Sequence, residues 1–527
     1  GADQGDSYSQ NNLGDLYREG LGVTRDYSKA MEWYLQAAKE GNRDAQSSIG
    51  YLYRNGYGVT RDYLVAMEWF MKAADQGNVV SQYHIGGMFH DGEGVDEDIS
   101  KAMEWYRKAA DQGYKYAQYR VGRLLQKGEG VPLDFLQASE WFLKAAKQGH
   151  SRAQYIAGTL YEYGDGVPQD VSFSTAASSS PGAGFCCVML YTLLSVCLLA
   201  GVPLDYSKAM EWYLMGAGQG HAHSQTGIGN LYQDGLGMPQ DYSQAMEWYL
   251  KAAEQDEPYA LTSIGQHYQY GFGVTQDYSK AMEYYLKAAD KKSALAQHSV
   301  GCLYRDGKGV TQDFSKALEW FVKAADQGDA CAQQNIGCLY QNGEGVTQNY
   351  SLAMKWYRKA VDRGSGGALL NVGDLHYFGQ GVSQDYYKST EWYVEVAEQG
   401  VVVIYCRIGE MYDNGEVVDQ NFVQAMEWYR KAADRGDSDA QYKIECLYQS
   451  SHGVPVDYRQ ASEWFLKAAK QGHDEAQYIT GSLYEYGNGI SQDVSTAKEW
   501  YLKATKQGHD DARARLEYFH RYESDLY

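Results

Sequence analysis

Several groups of residues in this chain have types and spacings that could carry chemistry. His150, His221, His473 and His509 each follow a glycine, and His221-Ala222-His223 sets two imidazoles close together, as a metal site would require. No cysteine or carboxylate cluster at ligand spacing accompanies them, so these positions read as solvated loop histidines. Ser495-Thr496-Ala497-Lys498 has the serine and lysine spacing of acyl-transfer enzymes, but it falls at an expected helix start and varies a Tyr-Ser-Lys-Ala segment found elsewhere in the chain. Gly20-Leu21-Gly22-Val23 and its copies invite comparison with phosphate loops. Such a loop follows a strand, whereas these glycines follow an expected helix and recur in nearly every unit, which is turn chemistry. Asn349-Tyr350-Ser351 is a glycosylation sequon in which Asn349 replaces the capping Asp of other units. No catalytic, cofactor-binding or metal-binding residue is therefore assigned, and an enzyme is not expected, because no nucleophile, base and oxyanion donor come together.

What positions all of these residues is a repeat. Trp33, Trp69, Trp105 and Trp141, then Trp212 and Trp248, then Trp320, Trp356, Trp392, Trp428, Trp464 and Trp500 follow a beat of 36 residues, with Tyr284 standing on the same beat. The one interruption lies between Trp141 and Trp212, which are 71 residues apart. A period of this length marks a solenoid whose units stack on one another. Within residues 44–79, Ala45, Ile49, Leu52 and Tyr53 share one face of a first helix, which Asn55-Gly56-Tyr57-Gly58 ends. Asp62 is placed to cap a second helix whose apolar face is Ala66, Trp69, Phe70, Ala73 and Ala74, with Gly77 as its breaker. Two helices of this size cannot bury both faces alone, so stability must come from stacking.

The formal charge is -21, from 68 acidic and 47 basic side chains, and the acids are spread through the repeats. A surface of that sign repels phosphate backbones, which argues against nucleic acid as a direct ligand. Eight cysteines are present, and Cys186, Cys187 and Cys197 fall in one anomalous segment. Cys302, Cys338 and Cys446 take the same small-residue place in three first helices, and without regular pairs they indicate a reduced compartment, here read as the cytoplasm.

The pattern Ala-Gln-x-x-Ile-Gly-x-Leu-Tyr, Gly-x-Gly-Val, Asp-Tyr-x-x-Ala-x-Glu-Trp-Tyr-x-Lys-Ala-Ala-x-x-Gly resembles the Sel1-like repeat, a relative of the tetratricopeptide repeat. It covers four intact copies before the interruption and nine after it. The resemblance implies an all-α, right-handed superhelical solenoid of about fourteen helix-turn-helix units, one of them degenerate. It further implies a non-catalytic scaffold or adaptor that binds proteins or peptides on its concave surface, with no cofactor. Some bacterial secreted relatives pair two cysteines per repeat and are associated with penicillin binding; this chain lacks those pairs.

Three parts follow: a repeat array over 1–171, an anomalous segment over 172–200, and a second array over 201–527. Between Asp170 and Asp205 there is no charged residue, and residues 183–201 form a run of 19 that is nearly continuously apolar, long enough to span a bilayer. Two readings stand. The run is a membrane anchor, making the protein a membrane-attached adaptor in protein quality control or cell-wall enzyme regulation, at the endoplasmic reticulum or another membrane. Otherwise it is a repeat that has decayed or been translated out of frame, since no Lys or Arg cluster flanks it and it lies where one repeat is due. The opening Gly1-Ala2-Asp3-Gln4-Gly5 matches the tail of a repeat, so the chain reads as a fragment.

Overall fold

The computed structural model describes residues 6–164, 204–401, 403–415, 420–449 and 458–524. Among the described residues there are 27 helices and no strand, and consecutive helices pair as helix-turn-helix units, as the 36-residue beat requires. The chain divides into two compact units, one ending at Ala296 and the other beginning at Gln297.

The pair Arg43–Asn55 and Tyr63–Asp75 shows why the sequence folds this way. Asn42 caps the first helix by accepting from the Asp44 and Ala45 amides, and Gly56, at φ 72°, closes it with its N–H on the Leu52 carbonyl. The turn is fixed by the Asp62 N–H donating to the Tyr53 carbonyl at 3.0 Å, while the Asp62 carboxylate caps the second helix. The second glycine of most turns marks a close approach, Gly22 having open space instead. A Cβ on Gly58 would lie 2.6 Å from Tyr27 Cβ in the preceding unit, so the Gly-x-Gly pattern is packing and turn geometry.

The two rings of each second helix have different tasks. Phe70, and its equivalents Tyr106, Tyr249 and Tyr285, are buried against a first-helix glycine of their own unit. The tryptophans before Phe70 and Tyr106 are only half-buried and reach back: Trp69 packs on the cluster of Ala30, Tyr34, Ile49 and Leu52, and Trp105 on that of Phe70 and Ile85. Such a ring is covered on its outer face by the lysine three positions on, with Lys108 Nζ 3.9 Å from the Trp105 centroid and Lys323 Nζ 3.7 Å from that of Trp320. A glutamine ladder adds a polar clamp. Gln76 donates to Gln46 at 2.8 Å, and the same bond recurs from Gln112 to Gln82 and from Gln327 to Gln297.

The interruption is bridged in an unexpected way. Residues 172–200, with the apolar run 183–201, lie outside the described residues, and helix Ser151–Tyr163 pairs directly with helix Tyr206–Ala217. The Asp205 N–H donates to the Tyr161 carbonyl at 2.9 Å, Tyr213 donates to Glu162 at 2.5 Å, and Gln219 donates to Gln154 at 2.6 Å. The last two glutamines are 65 residues apart where Gln46 and Gln76 are 30 apart. The described helices on either side of that stretch thus pair as a first helix with its second helix, as Arg43–Asn55 pairs with Tyr63–Asp75. Helix pairing is decided by matching faces, and Tyr206–Ala217 carries the ring and small residues that Ser151–Tyr163 needs, wherever the beat places it.

Candidate interaction surface

Once the frame residues are set aside, each first helix has positions that the frame leaves free to vary. In the first unit these converge on a cleft of about 510 Å³, lined by residues of the helices Val79–Asp91, Lys115–Lys127 and Ser151–Tyr163 and their turns. Its floor is aromatic. Tyr83 meets Tyr114 edge-on at 5.4 Å, Tyr114 meets Tyr116 at 5.4 Å, and Tyr119 stacks on His150 at 4.5 Å. Tyr114 occupies an N-cap place without making a side-chain cap bond; its ring packs against those of Tyr83 and Tyr116 instead.

The rim is cationic. Lys115, Arg120, Arg123, Lys127 and Arg152 line the cleft with a single carboxylate, Glu129, which lies 3.2 Å from Lys127 Nζ. Tyr116, Arg120, Arg123 and Lys127 recur at helical spacing and so share one face of their helix. Among the described residues no carboxylate lies within ion-pair distance of Arg120 or Arg152. The local potential is visible in two imidazoles. Burial, then Lys115 and Arg152, push His150 down to about 4, and burial, then His223 and Arg152, do the same to His221.

The corresponding positions of the second unit are neutralised by partners from neighbouring repeats. Arg407 pairs with Asp374 at 3.1 Å, Lys443 with Glu410 at 3.5 Å, and Arg515 with Glu485. Here Cys302 Sγ lies 3.5 Å from His298 Nε2. Burial works against a thiolate at Cys302, but His298 and Arg305 outweigh it and hold the thiol below its ordinary value. Burial instead pushes Cys406 up to about 12 and raises Cys338 and Cys446. Cys302 will therefore be alkylated by iodoacetamide at pH 7.5 at least about tenfold faster than Cys406, as followed by peptide mass spectrometry. His298→Ala will remove most of the difference; equal rates in the unchanged chain would refute the pairing.

The histidines singled out by sequence are not solvated loops. The place after the inter-unit glycine is the N-cap, taken elsewhere by Asn42, Asn78 and Asp329. His150, His221, His473 and His509 fill it with Nδ1, accepting from the amides of Ala153, Ser224, Ala476 and Ala512 at 3.1 to 3.3 Å. Their rings are buried or half-buried, and three stack on Tyr119, Tyr442 and Tyr478. Among the described residues no group of three or more His, Cys, Asp or Glu is placed to hold a metal ion. Ser495 lies exposed in the first turn of helix Val494–Lys506, where its amide donates to the Asp493 cap, and Lys498 Nζ lies over the Phe519 ring. Asn349 caps helix Tyr350–Asp362, as its sequence position suggested. Among the described residues no helix is long and apolar enough to cross a membrane.

The Sel1 repeat family matches fourteen segments, running from 7–42 through 151–174 and 191–221 to 474–509. No curated protein matches the chain. Among solved structures, a protective antigen present in uropathogenic Escherichia coli strains and displaying an SLR fold is 30% identical, over 94% of this chain and 90% of that one, with a TM-score of 0.56. A Sel1 repeat protein from Oxalobacter formigenes is also 30% identical, over 64% of this chain and 88% of that one, with a TM-score of 0.43.

Proposed function

The chain belongs to the Sel1 repeat family, and from that premise we propose that it is a non-catalytic scaffold that binds protein or peptide partners along its first helices. Repeat proteins of this kind usually act as interaction scaffolds. One observation carries the reading: the frame positions are spent on packing, while the free first-helix positions of the first unit build an open aromatic and cationic cleft. Rigid rings flanked by charged groups are the usual anchors of a protein interface. Selection of random peptides on the whole chain tests it. Peptides will be recovered whose affinity falls at least about tenfold on Tyr83→Ala with Tyr119→Ala and is unmoved by Glu140→Ala on the exposed side of a second helix. Recovery of no peptide, or loss of binding only with the second-helix change, would overturn the proposal.

The uncharged run 183–201 supports a second reading, in which the scaffold is attached to a membrane. Carbonate washing of membranes from expressing cells separates the two: an integral segment stays with the lipid, and release into the wash removes this reading.

A further inference from the structure

We propose that the cleft between the helices Val79–Asp91, Lys115–Lys127 and Ser151–Tyr163 is a docking site for a short, extended, acidic peptide segment of a partner protein, its carboxylates held by Arg120 and Arg152 over a tyrosine floor. The inference rests on the scaffold reading and gives its partner a chemistry. Three features of the cleft lead to it.

The first is charge contrast. The chain is strongly acidic, with a formal charge of -21, yet five cations and one carboxylate line this cleft. Several cations of other first helices are matched by carboxylates: Arg54 by Glu93 at 2.6 Å, Arg407 by Asp374 at 3.1 Å, and Lys443 by Glu410 at 3.5 Å. Arg120 and Arg152 have no such match among the described residues. Guanidinium groups are weakly hydrated and planar, and they pair with carboxylates through two parallel hydrogen bonds.

The second is the distribution of the charge. Arg120, Arg123 and Lys127 follow one another along a single helical face, and Arg152 comes from the next repeat, so the cations are spread over two repeats. Cations carried on two successive repeats suit charges spaced along a chain better than one compact phosphate. The third is the floor. Tyr83, Tyr116 and Tyr119 offer flat apolar surface between the charges, suited to the methylenes of Glu and to the backbone of an extended peptide. Nucleic acid fits less well, because a polyanion longer than the cleft would run onto the acidic remainder of the surface.

The test is fluorescence anisotropy on the full chain, with a labelled twelve-residue peptide rich in Glu and Asp, the same peptide with Gln and Asn in their place, its phosphoserine counterpart, and a single-stranded RNA of equal charge. The acidic peptide will bind at least about tenfold more tightly than the amide peptide, and Arg120→Glu with Arg152→Glu will abolish that preference. Arg25→Glu, in a turn away from the cleft, will leave it unchanged. Because a double reversal could disturb folding, the milder Arg152→Ala is measured alongside, with circular dichroism; it will weaken the acidic peptide several-fold and leave the amide peptide as it was. Equal binding of acidic and amide peptides, tighter binding of the phosphopeptide or of RNA, or an acidic preference that survives both arginine changes would each overturn the proposal. Peptides recovered by random selection that depend on Tyr83 and Tyr119 but carry no acidic preference would overturn it while leaving the scaffold reading intact. If no peptide binds at all, both fall.

Discussion

Gly265→Ala will destabilise the repeat that contains it, although alanine is the better helix former. In an open helix the exchange gains up to about 1 kcal/mol. Gly265 is not in open space: a Cβ built on it lies 2.5 Å from Tyr285 Cε1 and 2.6 Å from Cδ1, well inside ordinary contact. The Tyr285 ring is fully buried and its hydroxyl donates to Gln269 at 2.7 Å, so it has neither room nor freedom to withdraw. Overpacking of this kind costs roughly 1–3 kcal/mol, enough to reverse the propensity gain, and Gly265→Leu will cost more. A double-mutant cycle isolates the cause. With Tyr285→Ala in place, the alanine at 265 has space, and the same change becomes neutral or stabilising. Urea unfolding of the four proteins reads the cycle. Stabilisation of the otherwise unchanged chain by Gly265→Ala would show that the ring does not demand the glycine.

That glycine recurs under a buried ring at Gly50, Gly86, Gly122, Gly337 and Gly481. In the last described helix, Asp510–Ser524, its place is held by an exposed Glu517, and no second helix follows to bring a ring against it among the described residues. This is the kind of feature a repeated sequence discloses well. The turns, the Asp caps and the two-helix unit all follow from spacing, because each depends on neighbours within one 36-residue beat. Which ring is fully buried does not follow: the tryptophans define the beat, but Phe70 and Tyr106 fill the interior while Trp69 and Trp105 lie half-exposed under lysines. The caps at His150 and His473 were hidden for a different reason, since imidazole is an uncommon cap and only the register of Asn42 and Asn78 reveals the position.

The cleft was the least legible part. A net charge averages over the chain, and an acidic total concealed a local excess of cations. The spacing of Tyr116, Arg120, Arg123 and Lys127 was available as a signal that one face of one helix is basic. Arg152 and Tyr83 come from other repeats, however, and only stacking brings them beside it.

Acidification from pH 7.5 to pH 5 will loosen the first unit more than the second. His84, His150, His221 and His267 are each pushed down from 6.5 to about 4, chiefly by burial, with Arg54 adding to the effect at His84. Above pH 6.5 these rings are neutral in both folded and unfolded chains. Between 6.5 and 4 the unfolded chain takes up protons that the folded unit refuses, so stability is lost across that window, by about 2 kcal/mol per ring at pH 5. Glu162, pushed up to about 7 by burial, and Asp234, also raised by burial, act in the opposite direction. They offset only part of a four-ring effect. In the second unit His376 is lowered, but His298 is raised to about 8 by its Cys302 neighbour against the effect of burial, and favours the folded state as pH falls. Hydrogen exchange followed by mass spectrometry, corrected for intrinsic rates, resolves the two units within one chain and avoids assuming a single transition. His150→Asn sharpens the test, because asparagine keeps an N-cap acceptor but cannot take up the proton. In that variant the helix Ser151–Tyr163 will keep most of the protection at pH 5 that the unchanged chain loses there. Equal loss in both would place the acid sensitivity elsewhere than in the imidazole cap.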